Sequence, residues 1–288
     1  METDYDTTNS FDNLFFDNKN YILNQLRILS DETNFKKYKK KVSLMLHGLP
    51  GSGKTALVQA IATHLNRCII YVPVSKINTD QNYIFNIIYG NKYNNYIIEN
   101  NEKIIFFDEL DAMSLDKIKN MKKINNFTDD EFDMFDQFNG LNNGGDNTSH
   151  EININTSDNN KTNKNINKEK EEFDLGFLLS LLDGPFDQTG MVLIATANNV
   201  NLIDKSFYRN GRFTSFCMKY MGNYNIANII NYYYDCVLTD GQIGKIRNDK
   251  KLSNSLIKNT CVTAFFENKS IDELIDLLND CTEYEGID

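Results

Sequence analysis

The segment GLPGSGKT at residues 48–55 has the residue types and spacing that hold a phosphate chain, G-x-x-x-x-G-K-[ST]. Its glycines let the backbone curl so that several N–H groups point inward at the α- and β-phosphates of a nucleotide. Lys54 can reach the β- and γ-phosphates, the Thr55 hydroxyl can ligate Mg²⁺, and a helix starting there presents its positive end to the anion. The candidate binding run is therefore Gly48, Leu49, Pro50, Gly51, Ser52, Gly53, Lys54, Thr55 and Ala56. A Gly-rich turn with no ligand is the plain alternative; a strand before the motif and a helix after it argue against that.

A phosphate site also needs a metal and an activated water. The stretch IIFFDELD at 104–111 places Asp108 at the carboxyl end of an apolar strand, where it can hold Mg²⁺ through the water shell. Glu109 is the candidate general base. An acidic pair after a strand is also ordinary turn chemistry, and the phosphate loop upstream is what makes it informative. Asp111 reads as a helix cap or a supporting group. Asn198, just past the apolar run MVLIATA at 191–197, could reach a γ-phosphate and orient the water, although Asn after a strand is common in turns. Arg209 and Arg212 flank an Asn-Gly turn in YRNGRF at 208–213. Arginine suits phosphate or carboxylate recognition, so they grip either a phosphate or surface acids.

The elements that must position these residues follow an α/β rhythm. VSLML (42–46), CIIYVPV (68–74), KIIFF (103–107), 191–197 and FTSFCMKY (213–220) read as strands. Helices are expected near 19–30, 54–65, 83–89 and 175–182, with a short one around 202–208. Continuous apolar strands between helices signal a parallel sheet covered on both faces. After residue 220 the pattern turns helical at 225–235 and 270–280, with weaker material between, so 221–288 is expected to be a small helical lid. Residues 1–10 read as a frayed tail and 11–220 as the α/β domain. Residues 117–172 form a low-complexity insertion rich in Asn, Asp, Lys and Glu, expected to be disordered. Within it, 125–138 spaces Phe132, Phe135 and Phe138 three apart, either a short binding helix or an incidental acidic stretch. The basic run at 36–41 reads as a solvated approach to a strand, or as a contact for an anionic partner.

Composition bounds the rest. The 288 residues carry a net charge of -10, which argues against broad affinity for nucleic acid or membrane surfaces. Heavy use of Asn, Lys, Ile and Tyr with no Trp resembles coding from an AT-rich genome, such as those of giant DNA viruses or certain protists. The five cysteines are scattered and read as core residues or inert thiols, with no zinc spacing. The polar N-terminus is no signal peptide, and no apolar run nears the roughly 18 residues of a membrane span. A soluble, intracellular, cytoplasmic protein is expected.

Taken together, these residues resemble the AAA family of ATPases. Residues 48–55 are similar to its Walker A motif, 104–109 to its Walker B, and Asn198 to its sensor-1 position. RNGR resembles the end of its second region of homology. The likeness spans roughly 11–112 and 173–280. Within the family it is nearest to the mitochondrial Rieske-protein translocases and related cytochrome bc assembly ATPases, through FKKYKKKVSLMLHGLPGSGKT, LLSLLDG and VTAFFENKSIDELIDLL. The resemblance implies a P-loop α/β fold with a helical lid. It also implies ATP and Mg²⁺ as cofactors and a homo-oligomeric ring of six or seven subunits. In such a ring Arg209 and Arg212 would enter the neighbour's nucleotide site.

The sequence departs from that group in three ways. It shows no N-terminal anchor or β-rich domain, and SKINTDQNYIFN has no aromatic-apolar-Gly loop for gripping a peptide. The lid's sole arginine, Arg247, lies in a polar context rather than a sensor-2 one. The expected function is Mg²⁺-dependent ATP hydrolysis that remodels or translocates a protein or complex. An ATP-gated assembly module with little hydrolysis, or a nucleic-acid loader, are the alternatives.

Overall fold

The computed structural model describes residues 8–30, 41–74, 81–93, 95–112, 175–209, 211–247 and 252–281. The expected insertion at 117–172, residues 36–40 of the basic run and residues 1–7 of the expected tail lie outside the described residues.

The elements run α1 (Lys19–Ser30), β1 (Val42–His47), α2 (Lys54–Leu65), β2 (Cys68–Pro73), α3 (Gln81–Tyr89), β3 (Lys92–Tyr93), β4 (Tyr96–Ile97) and β5 (Lys103–Asp108). Beyond residue 174 come α4 (Leu175–Asp183), β6 (Val192–Ala197), two single 3-10 turns (Val200–Leu202 and Lys205–Tyr208) and β7 (Thr214–Cys217). The chain then becomes helical through α5 (Asn223–Tyr234), α6 (Asp240–Lys245), α7 (Asn254–Phe266) and α8 (Ile271–Asp280).

Five strands form one sheet in the order β2-β5-β6-β1-β7, and every pairing in it is parallel. Side chains alternate across a strand, and here both faces are apolar. Leu44, Leu46, Ile104, Phe106, Val192 and Ile194 meet α1 and α2 on one face. Met45, Ile105, Phe107, Leu193 and Ala195 meet α3 and α4 on the other. The expected doubly covered α/β sheet is therefore observed. α1 grips the sheet through Ile22 and Leu26, four residues apart and fully buried, each contributing about 1.5–3 kcal/mol. Leu26→Asp would undo that seam.

The lid has its own core, in which Ile226, Ile230, Ile257, Cys261, Leu274 and Leu278 join α5, α7 and α8. Two of its helices, α6 and α7, occupy what the sequence presents as weak material. Thr239 and Gln242 cap α6 reciprocally in a capping box, and Ser253 caps α7 by accepting from Leu256 N. Other differences are local. The β3–β4 hairpin was not expected, and Lys103 pins it from below: its buried Nζ donates to Gly90 O at 2.6 Å and to the Tyr93 hydroxyl at 2.8 Å. Residues 8–10, read from sequence as tail, lie against α2. Asn9 Nδ2 donates to Gln59 Oε1 at 2.6 Å, and Thr63 Oγ1 donates to Asn9 O.

The segment after them ties lid to sheet. Asn225 Nδ2 donates to Asp17 Oδ1 at 2.6 Å, and the Phe15 and Tyr232 rings lie 6.1 Å apart.

Candidate active site

The carboxyl ends of β1, β5 and β6 converge on one edge of the sheet, where a doubly wound fold presents its ligand crevice. β1 leads into the 48–53 loop, and α2 leaves it with no side chain capping its first turn. Its early N–H groups therefore remain available to an anion. The loop needs glycine in two ways. Gly48 has φ 145°, and a Cβ there would lie 2.3 Å from Met218 O; Gly51 has φ 74°, and its Cβ would lie 2.8 Å from Ser255 Oγ. Ser52 is buried in the loop, and its Oγ lacks a hydrogen-bond partner among the described residues. Lys54 Nζ donates to Gly48 O at 2.7 Å and to Leu49 O at 3.0 Å.

Strand parity explains the acidic side. Ile104, Phe106 and then Asp108 face α2, as do Val192, Ile194 and then Thr196. Asp108 and Thr196 thus fall on the rung after Phe107↔Ala195. Thr196 Oγ1 donates to Asp108 Oδ1 at 2.6 Å and accepts from Glu109 N at 3.0 Å. That second bond holds Glu109 in a left-handed conformation with φ 53°, which for a non-glycine residue costs about 1–2 kcal/mol. Glu109 is exposed. Of the two readings for Asp111, a helix cap or a supporting group, the structure gives the second. Its Oδ2 accepts from Asn198 N at 3.0 Å and Asn199 N at 2.8 Å, which fixes the turn carrying Asn198 beside the acidic pair.

Burial lowers the Lys54 ammonium from its ordinary value, opposed by Asp111, Asp108 and Glu109 in that order. The lysine and the three carboxylates therefore share one field. His47, at the end of β1, is pushed down by burial and then by the Lys54 charge. Three carboxylates facing one ammonium leave a negative excess that suits a divalent cation. Asp108 and the exposed Thr55 hydroxyl are hard oxygen donors of the kind Mg²⁺ takes alongside substrate phosphates. Among the described residues no three His, Cys, Asp or Glu side chains gather as an all-protein metal site.

Beside the loop lies a cavity of about 330 Å³, within the range of small-ligand pockets. Gly53, Lys54 and Thr55 line its loop end; Phe15, Phe16, Met218, Met221, Ile229 and Tyr233 supply apolar walls. Lys258, Asn254 and Ser255 of α7 reach it from the lid. Asn254 Nδ2 donates to Ser52 O at 2.6 Å, and Ser255 N donates to Gly51 O at 3.2 Å. Sequence reasoning missed all of these wall residues. The aromatic cluster FDNLFF at 11–16 was the available signal for the first two. Arg247 lies elsewhere in the lid, exposed, its N–H donating to Asn279 Oδ1.

The two arginines stand apart from this edge. They precede β7, which runs parallel to β1 with Leu44 opposite Thr214. They therefore sit at the amino end of the sheet, while the phosphate loop leaves the carboxyl end. A six-residue strand such as β1 spans about 20 Å, so neither arginine reaches its own chain's phosphate loop. Arg212 forks onto Asp183 at the end of α4, its Nε donating to Oδ1 at 2.9 Å and its Nη2 to Oδ2. Its Nη1 also donates to Ser206 O at 2.5 Å. Hydrogen bonding from Arg212 holds the Asp183 carboxyl below its ordinary value. Arg209 is exposed, and its charge bears on Asp183 and Asp204.

The fold and the site together define an α/β protein consistent with the P-loop nucleoside triphosphatases. The model of the family described as "ATPase family associated with various cellular activities (AAA)" matches residues 44–147, a span that begins in β1 and contains the phosphate loop and the Asp108–Glu109 pair. That match supports an AAA-family ATPase domain and, with it, an ATP-dependent activity in general. No curated protein matches the chain significantly. No helix among the described residues is long and apolar enough to cross a membrane.

Proposed function

We propose that the protein is a Mg²⁺-dependent ATP hydrolase that works as a ring oligomer and remodels or translocates a protein or complex. The observation that carries this reading is the division of the site between the two ends of the sheet. The phosphate loop, Asp108, Glu109 and Asn198 gather at one end, and Arg209 and Arg212 stand at the other.

In this reading the 48–53 loop and the start of α2 bind the phosphates through backbone N–H groups, and Lys54 neutralises charge on the β- and γ-oxygens. The apolar walls around Phe16, Met221 and Tyr233 take the base. Glu109 accepts the proton of the attacking water, and Asn198 orients that water against the γ-phosphoryl group. Thr55 and Asp108, the latter through a water shell, would hold Mg²⁺, which when bound would supply neutralisation of phosphate charge. A neighbour's Arg209, joined by its Arg212 once that side chain leaves Asp183, stabilises the transferring phosphoryl group. Arginines in that role are worth on the order of 10³-fold or more in rate.

The test is ATP turnover measured across protein concentrations for the wild type, Glu109→Gln and Arg209→Ala. Arg209 is the cleaner arginine to remove, because Arg212→Ala also breaks the contact with Asp183. Specific activity that rises with concentration and vanishes in both variants, with ATP still bound, supports a site shared between subunits. One observation favours a second reading, the ATP-gated assembly module: Arg212 is already occupied by Asp183 within its own chain. ATP-dependent oligomerisation with no turnover at any concentration would select that module instead.

A further inference from the structure

The edge strand β2 brings a residue to the site that the reading above does not use. Tyr71 lies on the α2 face of the sheet, opposite Phe106 in the register, with Asp108 two residues further along the neighbouring strand. A diagonal neighbour of this kind is within reach of a long side chain. The Tyr71 ring packs on Phe106 at 5.6 Å between centroids, and its hydroxyl donates to Asp108 Oδ2 at 3.1 Å. Thr196 already donates to the other oxygen, Oδ1. The two strands flanking β5 therefore each contribute one hydroxyl to one carboxylate.

That arrangement has a chemical consequence. Each oxygen of Asp108 spends one acceptor direction on a hydroxyl and keeps the rest, and the carboxylate plane is fixed from both sides. A carboxylate tethered in this way is set to accept from the water shell of a cation rather than to rotate into direct chelation. Tyr71 remains 55% exposed, so the sheet core does not require an aromatic there, and the ring's hold on Phe106 and the hydroxyl's on Asp108 are its visible contacts.

We propose that Tyr71 is a positioning residue for Mg²⁺, acting through Asp108 and setting the strength of Mg²⁺-linked nucleotide binding. The inference rests on the ATPase reading of the same site. Hydrogen-bond partners one step behind a metal ligand change metal affinity by about 10–100-fold when removed. Since Thr196 remains, the low end applies.

The experiment titrates MgCl₂ into the full chain with a fluorescent, non-hydrolysable ATP analogue, comparing wild type, Tyr71→Phe and Asp108→Asn. Tyr71→Phe keeps the ring on Phe106 and removes only the hydroxyl. The expected result is a Mg²⁺ midpoint raised about tenfold, with analogue affinity in EDTA unchanged. An unchanged midpoint, or an equal loss of affinity in EDTA, overturns the proposal and leaves Tyr71 as a cover for Phe106. Asp108→Asn separates the two levels of the argument. If it abolishes the Mg²⁺ linkage while Tyr71→Phe does nothing, Tyr71 alone is wrong. If neither it nor Tyr71→Phe alters the linkage, the metal assignment itself falls, and this proposal with it.

Discussion

Replacing Thr196 by valine removes one oxygen from a residue that is 1% exposed and tests how the acidic pair is held. The hydroxyl makes two bonds, donating to Asp108 Oδ1 and accepting from Glu109 N. A hydrogen bond to a charged group contributes about 1.5–3 kcal/mol, and the half-buried setting of Asp108 selects the low end. Leaving the Glu109 amide unpaired adds about 1–2 kcal/mol. The new methyl group recovers about 0.8 kcal/mol. The net loss is about 2 kcal/mol, or a urea midpoint lower by about 1 M for a slope of about 2 kcal/mol per molar. Loss of the amide tether also frees Glu109 from its left-handed turn, so turnover at saturating ATP and Mg²⁺ should fall about 10–100-fold, with ATP affinity in EDTA nearly unchanged. Urea unfolding and steady-state turnover, with Thr196→Ser as the variant that keeps the hydroxyl, check both numbers. A valine variant as stable and as fast as the wild type refutes the reasoning. So does a serine variant as damaged as the valine one.

Two further outcomes are expected. Gly48→Ala meets a backbone oxygen that cannot move aside, whereas Gly51→Ala meets a serine hydroxyl that can rotate; nucleotide affinity should therefore be lost in the first and only weakened in the second, as read by equilibrium binding. Burial in the lid raises the Cys261 thiol from 9.0 to about 12. Between those values the unfolded chain has lost a proton that the folded one keeps, so stability falls as pH rises, by up to about 1.4 kcal/mol per pH unit. Below pH 9 the term is fully present. Urea unfolding from pH 8 to 10.5 should show the wild type losing ground relative to Cys261→Ala, and parallel pH profiles would contradict the assignment.

Much of this site is legible in the chain because its parts are local. The loop 48–55 carries its own turn-forming glycines, its lysine and the start of its helix within eight consecutive positions, and α2 runs over Lys54–Leu65 as its periodicity predicts. Asp108 and Glu109 follow an apolar run that could only be a buried strand. Helices α6 and α7 are harder to read. The sequence NSLIKNTCVTAFF is rich in Asn, Thr, Cys and Val, all modest helix formers, and its helix is stabilised by packing on α5 and α8 rather than by propensity.

Sequence alone therefore determined the glycine-rich loop at 48–53, the acidic pair at a strand end, the doubly covered sheet and the turn to helices after residue 220. Each is written in neighbouring residues whose spacing matches a strand or helix period. Tertiary structure alone decided which side chains assemble around that loop. Thr196 meets Asp108 across 88 positions, Tyr71 meets it across 37, and Asn254 meets Ser52 across 202. Those contacts depend on strand order, register and the docking of the lid. Arg212 makes the same point: its residue type and spacing left a phosphate or a surface acid open, and the fold sets it on Asp183, at the far end of the sheet from the 48–53 loop of its own chain. Strand direction decides that separation, and no local pattern encodes it.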